Sequence, residues 1–185
     1  PYGSKAADEL VNYHVSNGGI SRYKKFEYFL EKIVPQLSDV TDGPSLEELL
    51  DDYASKVKHG LLNCDVAEGL FELRDKTKGV PWLIVSGGDQ NELGEVFSKR
   101  GLSELFDGGI FGSPDNKDII LSREITIGNI IEPALFFGDS KYDYQASKGA
   151  GLDFIFLHGW SEVYKWREWC SINQILYKKD IKGIV

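Results

Sequence analysis

The apolar run Ala134–Phe137 stops at Gly138, and two acids, Asp139 and Asp143, follow at once. The run reads as a buried strand, and a helical pattern begins at Tyr142 or Asp143. This junction narrows what the chain can fold into, because open α/β sheets gather their ligands just beyond the carboxyl ends of their strands. Two carboxylates at such a place suit a hard divalent cation such as Mg²⁺.

The same alternation surrounds the junction. Val80–Val85 reads as a strand with Pro81 at its start, Ser86-Gly87-Gly88 as a turn, and Asp89 with Glu92 as a helix start. That helix runs to Arg100 and closes at Gly101. A short strand lies within Phe106–Phe111, Ser113-Pro114 opens the next helix, and Phe154–Leu157 is the last strand. Strand and helix in turn predict a parallel sheet with crossover helices, a Rossmann-like α/β core over residues 63–185. A helix pattern through Val66, Leu70, Leu73 and Lys76 leads into it and ends near Gly79. The tail from Trp160 onward holds three tryptophans and reads as a helix with an irregular end.

Residues 1–62 differ in character and read as a helical subdomain. Leu10, Val11, Tyr13 and His14 belong to one helix. Tyr23, Phe26, Phe29, Leu30 and Ile33 form the apolar face of a second, which Pro35 ends. The two are joined by Ser16–Arg22, a turn with two glycines. Ser45 with Glu48 fits a capping box that opens a third helix.

Charge limits the partners. Lysine and arginine total 21 against 29 aspartate and glutamate, a net −8, which argues against nucleic acid or an anionic membrane. No apolar run of about eighteen residues and no basic, apolar start appears, so neither a membrane span nor a signal peptide is expected. Cys64 and Cys170 lack metal-ligand spacing and read as reduced, buried thiols of a cytoplasmic protein. Oligomeric state is not readable.

Strand ends then assemble a candidate site. Ser86 follows one strand, Lys117 follows the loop after the next, and Asp139 and Asp143 follow the third. A hydroxyl with nearby amides, an ammonium and two carboxylates suit a phosphate held beside a cation. Each residue also has a plainer role. Ser86 can be a turn residue, Lys117 a solvated helix lysine, Asp139 a loop acid, and Asp143 the partner of Ser140 in a capping box. The joint placement favours the site.

These residues resemble the motifs of the haloacid dehalogenase (HAD) superfamily, in particular its small phosphatases of the phosphoglycolate phosphatase and β-phosphoglucomutase kind. Val85-Ser86-Gly87 is similar to the second motif, Gly112–Lys117 to the third, and Gly138-Asp139-Ser140-Lys141-Tyr142-Asp143 to the fourth, with Ala146, Gly149, Ala150 and Gly151 following. The helical residues 1–62 resemble the cap inserted after the family's first motif, with Tyr13 to Phe26 near the site entrance. The resemblance implies a Mg²⁺-dependent phosphomonoester hydrolase acting on a small phosphorylated substrate through an aspartyl-phosphate. Asp139 and Asp143 would serve the metal, Ser86 and the Gly87 amide the phosphate, Lys117 both phosphate and nucleophile, and Arg22 and Lys25 the substrate from the cap. A sugar phosphomutase of the same family, or a non-catalytic phosphate-binding member, would share these residues. A dehalogenase would not use the metal acids.

The chain departs from the pattern in one respect. The first motif, Asp-x-Asp-x-Thr, carries the nucleophile and the general acid/base, and no Asp-x-Asp occurs here. In the family its strand is the middle one, in the order 5-4-1-2-3. About 20–35 residues, a strand with its loop and a helix start, would supply it. The expectation is that the natural protein has this segment and that these 185 residues alone do not turn over. Alternatively Asp180–Val185, which resembles a strand, fills the gap, or packs on the sheet edge.

Overall fold

The computed structural model describes residues 1–40 and 42–184. The first part is helical: α1 (Ser4–Ser16), α2 (Arg22–Tyr28), a π-helical turn (Phe29–Ile33), α3 (Val34–Leu37) and α4 (Leu46–Asn63). Ser21 caps α2, and Ser45 and Glu48 form the reciprocal capping box expected at the start of α4. Phe29, Ile33 and Val34 bury against Tyr2 and Ala6, with Phe26, Leu30 and Leu49 around them. Pro35 does not end its helix. The Val34 amide bonds to the carbonyl of Phe29, five residues back, and this wider turn carries the chain past a residue with no N–H, so α3 continues to Leu37. Tyr23 leaves the expected apolar face and donates its hydroxyl to Asp89 at 2.7 Å.

The second part alternates α5 (Leu70–Lys76), β1 (Leu83–Asp89), α6 (Gln90–Lys99), β2 (Gly109–Ser113), α7 (Lys117–Thr126), β3 (Leu135–Gly138), α8 (Lys141–Gly149), β4 (Asp153–Leu157), α9 (Trp166–Asn173) and β5 (Leu176–Lys178). This is the α/β organisation expected, and every strand pair is parallel. Among the described residues the strands form two sheets, β1-β2 and β3-β4-β5, without ladder bonds between them.

Several boundaries differ from expectation. Strand β1 starts at Leu83, not Val80, and continues through Ser86-Gly87-Gly88 to Asp89 as an irregular strand. The lead-in helix is shorter, Leu70–Lys76. Helix α7 starts at Lys117 because Asn116 caps it, accepting from the Ile119 amide; Ser113-Pro114 lies before it in a cis peptide. The tail holds a three-residue strand, β5, whose exposed residues give no alternating pattern to read. Asp180–Ile184 is a bend and turn, with Ile181 buried against Leu73 and Leu157; Val185 lies outside the described residues. Cys170 is buried as expected, but Cys64 at the end of α4 is exposed. Among the described residues no helix is long and apolar enough to cross a membrane.

Strand β3 is covered on both faces. Phe136 joins Val85, Leu121, Ala146 and Leu152 under α7 and α8, while Phe137 faces Leu73, Leu157 and Ile181. Successive side chains of a strand point to opposite faces, so these two neighbours serve two cores. Val85 and Phe136 thus bring the two sheets against one apolar cluster. Phe156, with no exposed surface, packs on Cys170 and Ile175 of the α9 region. Truncation of Phe156 to alanine is expected to cost about 3–5 kcal/mol. Truncation of Phe71, 60% exposed, should stay within about 0.5 kcal/mol, both read by urea denaturation.

Candidate functional site

Residues from three strand ends and from the glycine turn converge. Beyond Val85 the β1–β2 ladder is interrupted: β1 advances from Val85 to Asp89 while β2 advances only from Phe111 to Ser113. The surplus residues form a bulge at Ser86–Gly88. Ser86 Oγ accepts from the Gly88 amide at 3.0 Å, and the buried Ser113 hydroxyl donates to the Gly87 carbonyl at 2.9 Å. The Gln90 side chain steadies the same place. It donates to the Ile110 carbonyl and accepts from the Gly112 amide, both at 2.6 Å.

Asp143 is the hub. One carboxylate oxygen is ion-paired with Lys117 Nζ, and both residues are buried. The other accepts from the Ser140 hydroxyl at 2.7 Å, the Ser140 amide at 3.1 Å and the Asp139 amide at 3.2 Å. Ser140 Oγ in turn accepts from the Asp143 amide at 3.0 Å, which completes a capping box on α8. Asp143 therefore fills both roles read from the sequence at once: it caps α8 and belongs to the strand-end cluster. Lys117 is not a solvated helix lysine. Gly138 follows from this packing, since a Cβ there would collide with the Asp143 side chain.

Asp139 is different. It is exposed on one side, and its carbonyl accepts from the Ser161 hydroxyl at 2.5 Å. The protein packed around its other side raises the pKa of its carboxyl, and the negative charge of Asp143 raises it further, against the pull of Lys117. A carboxylate disfavoured as an anion by burial and by a second acid is one that a cation would relieve. The residues present therefore fit a divalent ion in part: the Asp139 carboxylate lies against that of Asp143 and makes no ion pair among the described residues, while Asp143 is committed to Lys117 and Ser140. No group of three or more His, Cys, Asp or Glu is gathered for a metal among the described residues.

The Gly18-Gly19 turn closes on this region by backbone. A Cβ on Gly19 would lie 2.5 Å from Ser140 Oγ, and one on Gly87 would lie 2.6 Å from the Gly19 carbonyl oxygen. Arg22 and Lys25, beyond the turn, do not share a role. The Arg22 guanidinium is ion-paired with Glu92 of α6 and lies over the Tyr53 ring, 5.2 Å from its centroid. Lys25 is buried, with Nζ 3.3 Å from His14 Nδ1 and 3.4 Å from the His14 carbonyl oxygen. Burial lowers the pKa of Lys25 and of His14; Glu162 opposes both shifts.

The structure thus brings Lys117, Asp139 and Asp143 together and sets the Gly87 backbone of the β1 bulge against the same glycine turn that meets Ser140. It holds Arg22 elsewhere, in a partnership with α6. Gln90, Ser161 and Glu162 carry no local signal as site neighbours, because their contacts join segments distant in sequence. Glu92 and Ser113 are marked in sequence only as helix openers, and Ser140 by its capping spacing to Asp143.

No family model and no curated protein matches the chain. A solved structure of a HAD-superfamily hydrolase from Ehrlichia chaffeensis is similar to it, with 20% identity over 89% of this chain and 85% of that one, and a TM-score of 0.49.

Two measurements follow from the hub. Lys117→Met strands a buried carboxylate and is expected to cost about 3–5 kcal/mol in urea denaturation, part of which Lys117→Met with Asp143→Asn should recover. For Asp139 the folded pKa lies above the ordinary value of 3.8, so the unfolded chain releases its proton first. Stability is then lost as pH rises from 3.8 through the raised value. Asp139→Asn should be as stable as the parent or more so at pH ~7 in EDTA, and its stability should fall less over that interval.

Proposed function

We propose that this chain forms the larger part of a Mg²⁺-dependent phosphomonoester hydrolase of the HAD superfamily. The reading rests above all on one observation: the buried Lys117–Asp143–Ser140 network beside Asp139, whose carboxyl is raised by burial and by Asp143, at the carboxyl ends of parallel strands.

In this reading the open inner edges of β1 and β3 flank the place of one further parallel strand. Among the described residues each of these strands has a ladder partner on one side only, β2 for β1 and β4 for β3. A strand between them would satisfy both edges, because unpaired backbone groups inside a core are costly. Its carboxyl end would emerge between Ser86 and Asp139. There it would supply the carboxylate that attacks phosphorus: the ester P–O bond breaks, the alcohol leaves with a proton from the second acid of the same motif, and water then splits the aspartyl-phosphate to give inorganic phosphate and the free carboxylate.

The chain's own residues divide the remaining work. The bulge at Ser86–Gly88 offers the Ser86 hydroxyl and the Gly87 amide to phosphate oxygens. Lys117, fixed by Asp143, lends positive charge where phosphate and carboxylates meet. Asp139 would hold Mg²⁺ directly, with Asp143 positioning it through Ser140 and the Asp139 amide; when bound, the ion offsets the charge of the phosphate and its acidic neighbours. Residues 1–62 act as the cap, with the Gly18-Gly19 turn at the entrance, and exclude water on closure. The substrate is a small phosphorylated metabolite.

The 185 residues alone are expected to show no metal-dependent hydrolysis of p-nitrophenyl phosphate. They should still bind inorganic phosphate with Mg²⁺, seen as a rise in melting temperature that Asp139→Asn abolishes. Turnover by the chain alone that disappears in Asp139→Asn would show that the attacking group lies within it. Absence of any phosphate and Mg²⁺ effect on the parent would remove the reading altogether.

A further inference from the structure

Trp160 is set apart from the other tryptophans. Trp82 meets the Phe106 ring and carries the Arg74 guanidinium over its own, 5.3 Å from the centroid. Trp166 has His158 stacked on it at 4.2 Å and Arg167 over it at 4.5 Å. Trp169 meets Tyr144 and Phe156 edge to face. Trp160 has no ring or cation partner among the described residues, and it is 49% exposed. The face of an indole attracts cations more strongly than that of any other side chain. In Trp160 that capacity is unused.

Open space adjoins it. Trp160 lines a cavity of about 520 Å³ whose other walls are Asp65, Val66, Ala67, Glu68 and Asp180. Small-molecule sites commonly measure roughly 300–1,000 Å³. Residues 65–68 link α4 to α5, Trp160 follows β4, and Asp180 follows β5. The cavity thus lies where the helical part joins the sheet part. Ser86, Lys117, Asp139 and Asp143 do not line it, so it is distinct from the phosphate site. Every charged residue of the wall is an acid. Glu68 is ion-paired with Lys182, whose amide donates to Asp180 at 3.0 Å. Asp65 is exposed and makes no ion pair among the described residues.

We propose that this cavity binds a small quaternary ammonium ion, its positive head against the face of Trp160 and within the field of Asp65 and Asp180. The wall selects this chemistry over other cations. The three acids do not converge: among the described residues no group of three or more His, Cys, Asp or Glu is gathered for a metal. A hard inorganic ion needs several oxygens at once, and a primary ammonium needs acceptors for three N–H donors. A quaternary ammonium needs neither. Its charge is spread over its alkyl groups, which suit an indole face and the apolar walls Val66 and Ala67, while carboxylates at a distance supply the field. The inference is independent of the phosphate-site reading, since it uses none of the same side chains.

The test titrates the chain with choline and with its neutral carbon isostere, 3,3-dimethylbutan-1-ol, at constant ionic strength. The 4 tryptophans give separate indole N–H resonances, and the signal of Trp160 is the one lost in Trp160→Leu. Choline should move that signal saturably and leave those of Trp82, Trp166 and Trp169 in place. The neutral alcohol should bind about tenfold or more weakly. By titration calorimetry Trp160→Leu should lose choline binding, Trp160→Tyr should keep part of it, and Asp65→Asn should weaken it several-fold. The three remaining indole signals report whether Trp160→Leu is folded; if it is not, Asp65→Asn, at an exposed position, decides the matter. Equal binding of the alcohol overturns the proposal, as does movement of all indole signals alike. Absence of binding overturns it too, and so does undiminished choline binding by a folded Trp160→Leu or by Asp65→Asn.

Discussion

One carboxylate, that of Asp143, fixes the geometry on which the rest depends. It lies in the interior, where a charge persists only if its neighbours replace the water it has lost. Lys117 does so for one oxygen; Ser140 and the Asp139 amide do so for the other. Lys117 is the first residue of α7, and Ser140 is the residue that starts α8. A single ionic contact therefore sets two helix origins against each other and against the end of β3. Asp139, one residue beyond that strand, is held by its backbone while its carboxylate makes no ion pair among the described residues. Rigid surroundings and one acid without an ion pair are what a ligand site requires.

The helical residues are attached to the α/β part in another manner. Their own core, around Phe29 and Ile33, is separate from the cores beneath α7, α8 and α9. Polar links cross between the parts: Arg22 to Glu92, Tyr23 to Asp89, Lys58 to Glu95, and Arg100 to the carbonyls of Leu61 and Cys64. Joins of this kind resemble transient interfaces more than obligate ones, and relative movement across them is the ordinary expectation. Arg22 and Glu92 each leave one buried polar atom without a partner, so this pairing is incomplete as well as polar.

Much of this was legible in the residues. Alternating apolar runs and caps gave the helical start, the parallel α/β character, the Ser45–Glu48 box and the Asp139–Asp143 placement. What escaped had physical causes. The bulge at Ser86–Gly88 looks like a turn in sequence, because Gly87 and Gly88 announce flexibility but not whether the ladder resumes at Asp89. Pro35 reads as a helix stop, since nothing local foretells a π turn that accommodates it. The start of α7 was misplaced because both Ser113-Pro114 and Asn116 offer opening signals, and Asn116 makes the capping bond. Strand β5 is three exposed residues recruited by the edge of β4. Arg22 and Lys25 looked alike in sequence, two cations after a glycine turn, and only tertiary contacts assign one to Glu92 and the other to His14.

The approach of Gly19 to Gly87 and Ser140 carries one more consequence. Where the helical part meets the sheet part at the site, peptide groups touch with hardly any side chain between them. The separation there is set by the van der Waals radii of the main chain, a dimension no ordinary substitution can shorten. Exchange at either glycine would act as a spacer and lift one part off the other. Divergence among chains built this way has freedom to alter the side chains beside this contact, while the separation across it stays fixed.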